Sequence, residues 1–261
     1  MKYLLLLWLL FPLLLRGQEY QLAPPKIYAD SIFFLQNARV TMAFDLEDAS
    51  IHFTTDGSMP VRHSTVYEAP FSVAASTTIQ AVSDHPHYVM SKMASLELVR
   101  AGFVPDSARL LARPDSAYRG KSPDALFDLQ KGSNDLHDGR WLGFRGDTVV
   151  VEAAFPKTVQ CRQIVVSTLS DPGAWIFPPR SIEVYGMKKG GRWQLLGKGM
   201  PRNEPTRKNR TAVYALYEAV DLDKTEADRI RVKVVPYGNL PEGHPGAGSP
   251  AWLFLDEVIF Q

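Results

Sequence analysis

The amino-acid sequence predicts an all-β protein built from two sandwich modules. Short segments in which apolar and polar residues alternate recur along the chain, as at Val40, Met42 and Phe44, and this period of two is typical of a half-buried strand. No long segment has the 3.6-residue apolar period of a helix. The 19 prolines and 18 glycines suit a chain with many turns between short strands.

The first 17 residues are predicted to form a signal peptide. Lys2 precedes a leucine-rich apolar run over residues 4–15, which is too short to cross a bilayer core of about 30 Å as a helix. Gly17 is a small residue at the expected cleavage point, and residues 18–23 form a short lead. The protein is therefore expected to be secreted, to the periplasm, the cell surface or the medium, with no membrane span after cleavage. A retained N-terminal anchor is the alternative.

Residues 24–100 are predicted to form the first module. Alternation over residues 40–46 is followed by a strand pattern at residues 51–54. Asp56 and Gly57 then supply a turn, because Asp tolerates a left-handed backbone and Gly adopts one without steric cost. Further strand patterns at residues 71–73, 78–82 and 96–99 follow at short intervals, as in a β-sandwich.

Residues 101–261 are predicted to form the second module, with longer strands. Strand patterns occur at residues 149–153, 164–166, 181–185, 192–196, 212–217 and 229–234, and from residue 252 to the end. The acidic run at residues 221–228 is predicted to be a solvated loop, and residues 122–127 a short helical turn. Cys161 is the one cysteine, so no intrachain disulfide can form, and a buried thiol is expected.

The net charge of the chain argues against polyanionic partners. The chain has 29 basic and 28 acidic residues, for a net charge of +1. Removal of the signal peptide takes away Lys2 and Arg16, which leaves 27 basic against 28 acidic residues. A nearly neutral protein has no electrostatic attraction to nucleic acid or to anionic lipid.

An ordered series of motifs lies in the first module. The segment IHFTTDGSMP (residues 51–60) is followed by Tyr67, by Pro70 and Phe71, and by TIQA (residues 78–81). This series resembles the immunoglobulin-like domain at the C-terminus of chitobiases and β-hexosaminidases. The resemblance covers residues 24–100 and implies an immunoglobulin-like sandwich.

The second module contains SPDALFD (122–128), GRWLGF (139–144), WIFPPRSIEV (175–184) and AWLFLDEV (251–258). These segments resemble the discoidin (coagulation factor 5/8 C-terminal) jelly roll, the fold of many sugar-binding modules of bacterial glycosidases. In bacterial family 20 hexosaminidases the two modules typically follow a catalytic barrel, which this chain lacks. The expected fold class is therefore all-β, with an immunoglobulin-like sandwich followed by a discoidin-type jelly roll.

The discoidin resemblance also implies one structural calcium ion. In that family a loop aspartate, main-chain carbonyls and a glutamate of the last strand hold the ion, and Asp128 and Glu257 stand at those positions. Ca²⁺ takes about six to eight oxygen ligands, which the carbonyls of residues 128–133 would help to supply. Leu129 departs from the family pattern, which has glycine there. The alternative is that Asp128 only closes a turn.

A sugar site is expected in the loops at one end of the second module. Aromatic rings stack on the apolar face of a pyranose, and planar polar side chains bind its hydroxyl groups. The candidates are Trp175 and Phe177 in one loop, and Tyr237, Asn239 and His244 in another. The alternatives are that Trp175 covers the end of the sandwich and that His244 is an ordinary loop histidine.

Catalysis is not expected. Glycoside hydrolysis needs two carboxyl groups about 5–10 Å apart across a cleft, and strand alternation predicts that Asp256 and Glu257 point to opposite faces. The leading interpretation is a secreted, non-catalytic carbohydrate-binding accessory protein of a bacterial glycan-degrading system, with a glycan as its partner. A protein-interaction or adhesin module that docks onto a glycoside hydrolase or cell-surface protein through an edge strand is the alternative. A remnant of a β-N-acetylhexosaminidase is a third hypothesis.

Overall fold

The computed structural model describes residues 20–120, 123–201 and 213–261. The predicted signal peptide at residues 1–17 lies outside the described residues. Strands are β1 Lys26–Ala29, β2 Phe33–Phe34, β3 Ala38–Ala43, β4 Ser50–Thr54, β5 Thr65–Val66, β6 Phe71–Val73, β7 Thr77–Asp84, β8 Ala94–Arg100, β9 Ser107–Leu110, β10 Leu142–Arg145, β11 Val149–Ser170, β12 Ser181–Met187, β13 Gln194–Gly199, β14 Tyr214–Val235 and β15 Trp252–Phe260.

Strands dominate the fold. Within the described ranges they form sheets of three, five and seven strands. The helical elements in these ranges are two short 3-10 turns, Asp124–Leu126 and Pro172–Ala174. The first of them was expected from the sequence. The predicted all-β sandwich class is confirmed.

Contacts divide the chain into two compact units. Of the described residues, unit 1 comprises residues 20–27, Met42–Ala69 and Ile79–Leu96, and unit 2 comprises those within Tyr28–Thr41, Pro70–Thr78 and Glu97–Gln261. Unit 2 therefore includes two segments from the predicted first module, residues 28–41 and 70–78. The predicted boundary at residue 100 separates sequence motifs rather than contact clusters, and it stays a prediction.

Unit 1 is organised around strand β4. It pairs antiparallel with β5 and with β7, in a register that sets Ser50 opposite Asp84 and Thr54 opposite Gln80. The predicted turn follows β4: Asp56 Oδ1 accepts hydrogen bonds from the Ser58 N–H (3.0 Å) and Oγ (2.6 Å). Gly57 has a φ of +81°, a conformation that a side chain would disfavour.

Unit 2 contains a sandwich whose two layers share the long strands β11 and β14. In the first layer, the N-terminal part of β11 pairs with β9 on one side and with the C-terminal part of β14 on the other. The same part of β14 also pairs with β12, and β12 pairs with β13. In the second layer, the C-terminal part of β11 lies between β15 and the N-terminal part of β14, and β15 continues to β10. Register shifts in β11 between Ala154 and Val159, and between Cys161 and Gln163, lie where the strand passes from one layer to the other.

The prediction of a loop at residues 221–228 is wrong, because these residues lie inside β14. Asp221 and Glu226 pair with Gln163 and Gln160 of β11. The side chains of Asp221 and Glu226 are exposed, whereas Leu222 and Ala227 are buried. The partner strand satisfies the backbone here, so the acidic side chains stay in water without breaking the strand.

The main hydrophobic core lies between the layers of unit 2. Ile164 and Val166 of β11 point into it, together with Val258 and Phe260 of β15. Val165 points to the opposite, outer side of the second layer. Together with Ile259, Phe33, Val99 and Ala101, it forms a second cluster, which we call the outer cluster.

Cys161 is buried, as the sequence predicts, with 1% of its surface exposed. Burial raises the pKa of its thiol to about 11, against weaker opposing hydrogen bonds from the backbone of Gln261 and Gln163. The thiol therefore stays protonated near neutral pH, and thiols react as thiolates. Cys161 is a packing residue.

Candidate functional site

A pocket of about 240 Å³ opens between two loops of unit 2. Four of the five predicted sugar-binding residues line it: Trp175, Phe177, Tyr237 and His244. The pocket is completed by Pro172, Gly173, Pro241, Gly243 and Pro245. The volume is below the roughly 300–1,000 Å³ of pockets for drug-sized ligands, so it suits a single ring.

The first loop is shaped by a capped turn. Asp171 Oδ1 accepts a hydrogen bond from Ala174 N (3.1 Å), and Asp171 and Ile176 exchange main-chain hydrogen bonds of 3.0 and 2.9 Å. Trp175 then adopts a left-handed conformation with φ +66°. This unusual conformation is held by Trp252, whose N–H donates to the Trp175 carbonyl at 2.8 Å.

The second loop is closed by main-chain hydrogen bonds and by His244. Leu240 N donates to Ser249 O at 2.8 Å, and Gly248 N to Leu240 O at 3.1 Å. His244 Nδ1 accepts from Gly246 N at 3.1 Å, so Nε2 carries the proton and donates to Pro172 O, also at 3.1 Å. His244 thus fixes its own loop to the first one.

Gly246 allows the two loops to approach closely. A Cβ atom at this position would lie 2.9 Å from the Trp175 ring and 2.9 Å from Leu240 Cδ1. Such distances are too short for carbon atoms in van der Waals contact. Glycine at residue 246 therefore belongs to the construction of the pocket, a role that spacing along the chain could not reveal.

The aromatic rings of the pocket have different exposures. Phe177 is buried, with 4% of its surface exposed, and its ring lies 4.9 Å from the Tyr237 ring and 5.7 Å from the His244 ring. Trp175 and Tyr237 are half-buried. Phe177 thus forms the floor, while Trp175 and Tyr237 offer ring surface to a ligand.

Asn239 is not among the pocket residues. Its side chain is exposed, and its backbone forms an isolated bridge with Pro250 at the base of the second loop. Sequence reasoning also missed the prolines of the lining, Pro172, Pro241 and Pro245. The density of proline and glycine at residues 241–250 was the signal for Pro241 and Pro245, because it marks a compact irregular loop.

The predicted metal ligands lie at a second place in unit 2. Glu257 is fully buried, and neither of its carboxyl oxygens has a hydrogen-bond partner of ordinary geometry. Burial raises the pKa of Glu257 to about 9. The main-chain N–H groups of Leu129 and Gln130 oppose this increase, and the charge of Asp128 adds to it. Asp128 is exposed, and its Oδ1 accepts from Gln130 N at 2.9 Å.

The prediction that Asp256 and Glu257 point to opposite faces is corrected by a bulge in β15. Thr168 of β11 pairs with Leu255, whereas Ser167 pairs with Glu257, so Asp256 is an extra residue. Leu255 and Val258 both point into the main core, which leaves Asp256 and Glu257 between them on the outer side.

Asp256 is held by the same loop as Glu257. Its Oδ2 accepts from Gly132 N at 2.6 Å and lies 3.7 Å from Lys131 Nζ. Burial raises the pKa of Asp256, and the Lys131 charge opposes this shift. Both carboxyl groups are fully buried, so neither is open to a substrate.

The carboxyl groups of Asp128 and Glu257 are chemically suited to a calcium ion. No group of three or more His, Cys, Asp or Glu side chains suited to a metal occurs in residues 20–120, 123–201 and 213–261. A metal at Asp128 and Glu257 would therefore need main-chain carbonyls as its other ligands, which suits the oxygen preference of Ca²⁺. Leu129 has a φ of +58°, so the loop adopts a glycine-like conformation despite the leucine.

Comparison with known proteins gives a family for the early part of the chain. The fold is that of an all-β sandwich protein. Residues 31–95 match the family described as the chitobiase/beta-hexosaminidase C-terminal domain, so the prediction of that domain is confirmed for this segment. No curated protein matches the sequence.

Three solved structures are distantly similar. The C-terminal domain of a chitobiase from Bacteroides fragilis has 15% identity and a TM-score of 0.38, over 61% of this chain and 95% of that one. A pectin-binding carbohydrate-binding module has 13% identity and a TM-score of 0.37, over 60% and 90%. A Clostridium perfringens module in complex with GalNAc-β-1,3-galactose has 12% identity and a TM-score of 0.36, over 59% and 93%.

The described ranges contain no helix that is both long enough and apolar enough to span a bilayer. The predicted signal peptide and its alternative, a retained anchor, concern residues outside these ranges.

Proposed function

We propose that the protein is a secreted, non-catalytic accessory protein that binds a carbohydrate in the pocket between Trp175 and Tyr237. The observation that carries the proposal is the convergence of these two half-exposed rings over the buried ring of Phe177. The chitobiase/beta-hexosaminidase C-terminal match at residues 31–95 supports a place in a bacterial glycan-degrading system.

The pocket suits the apolar face of one sugar ring. A pyranose would stack on Trp175, and the Tyr237 hydroxyl is the polar group best suited to a sugar hydroxyl. Both ring nitrogens of His244 are engaged within the protein. His244 therefore positions the loop and is not expected to contact the ligand directly.

Titration calorimetry with a panel of monosaccharides, followed by a glycan array, tests this binding. We expect Trp175→Ala to weaken the affinity for the best ligand by about tenfold or more, because aromatic anchors carry much of the energy in such sites. The matched control is Trp193→Ala, since Trp193 is also half-buried but lies against Arg231, outside the pocket. Equal affinity in the two variants, or no binding to any glycan, would refute the proposal.

The absence of catalysis is part of the proposal. The two neighbouring acids of β15, Asp256 and Glu257, are fully buried, whereas a hydrolase needs carboxyl groups that face a substrate cleft. Incubation with a chromogenic N-acetylglucosaminide tests the third hypothesis, an enzyme remnant. Measurable turnover by the purified protein would contradict the non-catalytic assignment.

We further propose a structural calcium ion at Asp128 and Glu257. The ion would compensate the buried Glu257 carboxylate and fix the loop that follows Asp128 to the last strand. Calcium is expected to raise the melting temperature of the wild type, because a ligand that binds only the folded state stabilises it by about 2.7 kcal/mol at 100 times Kd. Glu257→Gln should lose this increase, and Glu226→Gln, an exposed control, should keep it.

One observation favours the alternative of protein docking. Strand β5 lies at the end of its sheet's strand order, and both of its residues are exposed, with Val66 at 44%. An exposed edge strand can accept an added strand from a partner such as a glycoside hydrolase or a cell-surface protein. Val66→Lys would abolish capture of such a partner and leave glycan binding unchanged.

A further inference from the structure

Leu129 combines an unfavourable backbone with a favourable side-chain contact. Its φ of +58° lies in the left-handed region. Residues other than Gly, Asn and Asp rarely adopt this backbone conformation. Its side chain packs against the outer cluster, which contains Phe33, Val99 and Val165. Burial of the leucine side chain in this cluster offsets the cost of the backbone conformation.

The main chain of the same residue lies at the proposed cation site. Leu129 follows the proposed ligand Asp128 directly in the chain, and Gln130 N donates to Asp128 Oδ1 at 2.9 Å. Glu257 is fully buried and its two oxygens have no partner of ordinary geometry. Leu129 thus contacts the site through its backbone and the outer cluster through its side chain.

The outer cluster also includes residues from far earlier in the chain. Phe33 lies in β2, which pairs in parallel with β8. Val99 N donates to Ile32 O at 2.9 Å, and Ala101 N donates to Phe34 O at 2.7 Å. These two amides therefore report on whether β2 stays in place beside β8.

We propose that Leu129 couples divalent-cation binding at Asp128 and Glu257 to the packing of strand β2 on the second layer of unit 2. The inference rests on the calcium site of the proposed function and not on the sugar pocket. A bound cation holds the loop in the conformation that seats the Leu129 side chain in the outer cluster. Because coupling is reciprocal, a well-packed β2 in turn raises the affinity of the site for the cation.

Hydrogen exchange of the mature protein with and without Ca²⁺ tests the coupling. Saturating Ca²⁺ should slow exchange of the Val99 and Ala101 amides by about tenfold, within the usual range of coupling between sites. Amides of the β12–β14 pairing in the first layer, such as those of Val184 and Val232, serve as internal controls. They should change much less.

The decisive variant is Leu129→Gly. Glycine adopts a φ of +58° without steric cost, so the loop should still bind Ca²⁺ by calorimetry, with an affinity lower than that of the wild type by no more than the roughly tenfold coupling. Its Val99 and Ala101 amides should no longer respond to Ca²⁺, because the side chain that transmits the effect is gone. An equal response in the wild type and in Leu129→Gly would overturn the coupling while leaving the calcium site intact.

Two further outcomes separate the coupling from the site itself. If Ca²⁺ binds neither the wild type nor any variant, the calcium site fails and the coupling fails with it. If Leu129→Gly does not fold, Phe33→Leu replaces it, because it perturbs the other end of the contact. Phe33→Leu should lower Ca²⁺ affinity by about fivefold, and unchanged affinity would overturn the proposal.

Discussion

Glu183 illustrates how neighbouring charges determine the state of a single residue on the outer face of the first layer. Its carboxylate accepts hydrogen bonds from Lys198 (3.0 Å), Tyr185 (2.9 Å) and Lys233 (3.1 Å). These contacts, led by that of Lys198, lower its pKa to about 2. Because the lysines are partly exposed, water screens the attraction and its contribution to stability is small.

The lowered pKa of Glu183 predicts that the free energy of unfolding depends on pH. A carboxyl group whose pKa is lower in the folded state stabilises the fold above its unfolded pKa of 4.5, and this contribution is lost as the pH falls from about 4.5 towards 2. Glu183→Gln should therefore reduce the free energy of unfolding by up to about 1 kcal/mol at pH 7. Urea unfolding should give the same value for both proteins near pH 2, and a constant difference across this range would contradict the prediction.

Among the structural elements, the pocket depends on contacts between two loops that are distant in sequence. Residues 172–177 and 237–249 meet through His244, and Trp252 ties the first loop to the start of β15 through main-chain hydrogen bonds. The predicted alternative, that His244 is an ordinary loop histidine, does not match these bonds. Its position in the pocket lining agrees with the prediction, although its role in binding stays untested.

His244→Ala is expected to loosen both loops. It removes two internal hydrogen bonds, each of which contributes about 0.5–1.5 kcal/mol, so the free energy of unfolding should fall by about 1–2 kcal/mol and glycan affinity should fall with it. His137→Ala is the control, because the His137 side chain is 69% exposed and such surface changes usually cost less than about 0.5 kcal/mol. Similar losses in both variants, measured by urea unfolding, would exclude the bridging role.

On the scale of the whole molecule, unit 2 does not coincide with one sequence module. Its outer cluster joins Phe33, Val99 and Ala101 to Val165 and Ile259. The C-terminal Gln261 side chain donates to Ser76 Oγ at 2.7 Å and to Arg100 O at 2.6 Å. Segments on both sides of the predicted boundary at residue 100 therefore stabilise each other within unit 2.

A truncation tests this cooperation. A chain of residues 101–261 would expose Val165 and Ile259, and each buried aliphatic side chain contributes about 1.5–3 kcal/mol. We therefore expect this fragment to be at least about 3 kcal/mol less stable than a chain that begins at residue 20. Calorimetric melting of the two chains checks the expectation, and equal stability would show that the outer cluster contributes nothing.

The local pattern was sufficient to predict the turn at Asp56 and Gly57 and a strand in each longer alternating segment, but it missed β1, β2, β5, β9 and β10. Alternation acts over a few residues, so Ile164, Val165 and Val166 reveal two faces without reference to the rest of the chain. The resemblance also led to the calcium candidates, and residue type together with the resemblance led to four of the nine residues that line the pocket. The sequence could not show that Asn239 lies outside the pocket lining, since the polarity of a loop residue does not determine which way the loop turns.

The sequence by itself determined the all-β class, the positions of the longer alternating strands and the presence of aromatic residues in the two loops, because each can be read from residues close together in the chain. Only the tertiary structure decided that residues 221–228 are strand, that a bulge turns Asp256 and Glu257 to the same side, and that Leu129 has both a strained backbone and a supporting cluster. These features depend on backbone pairing and packing with residues tens of positions away, and such partners leave no local periodicity in the chain.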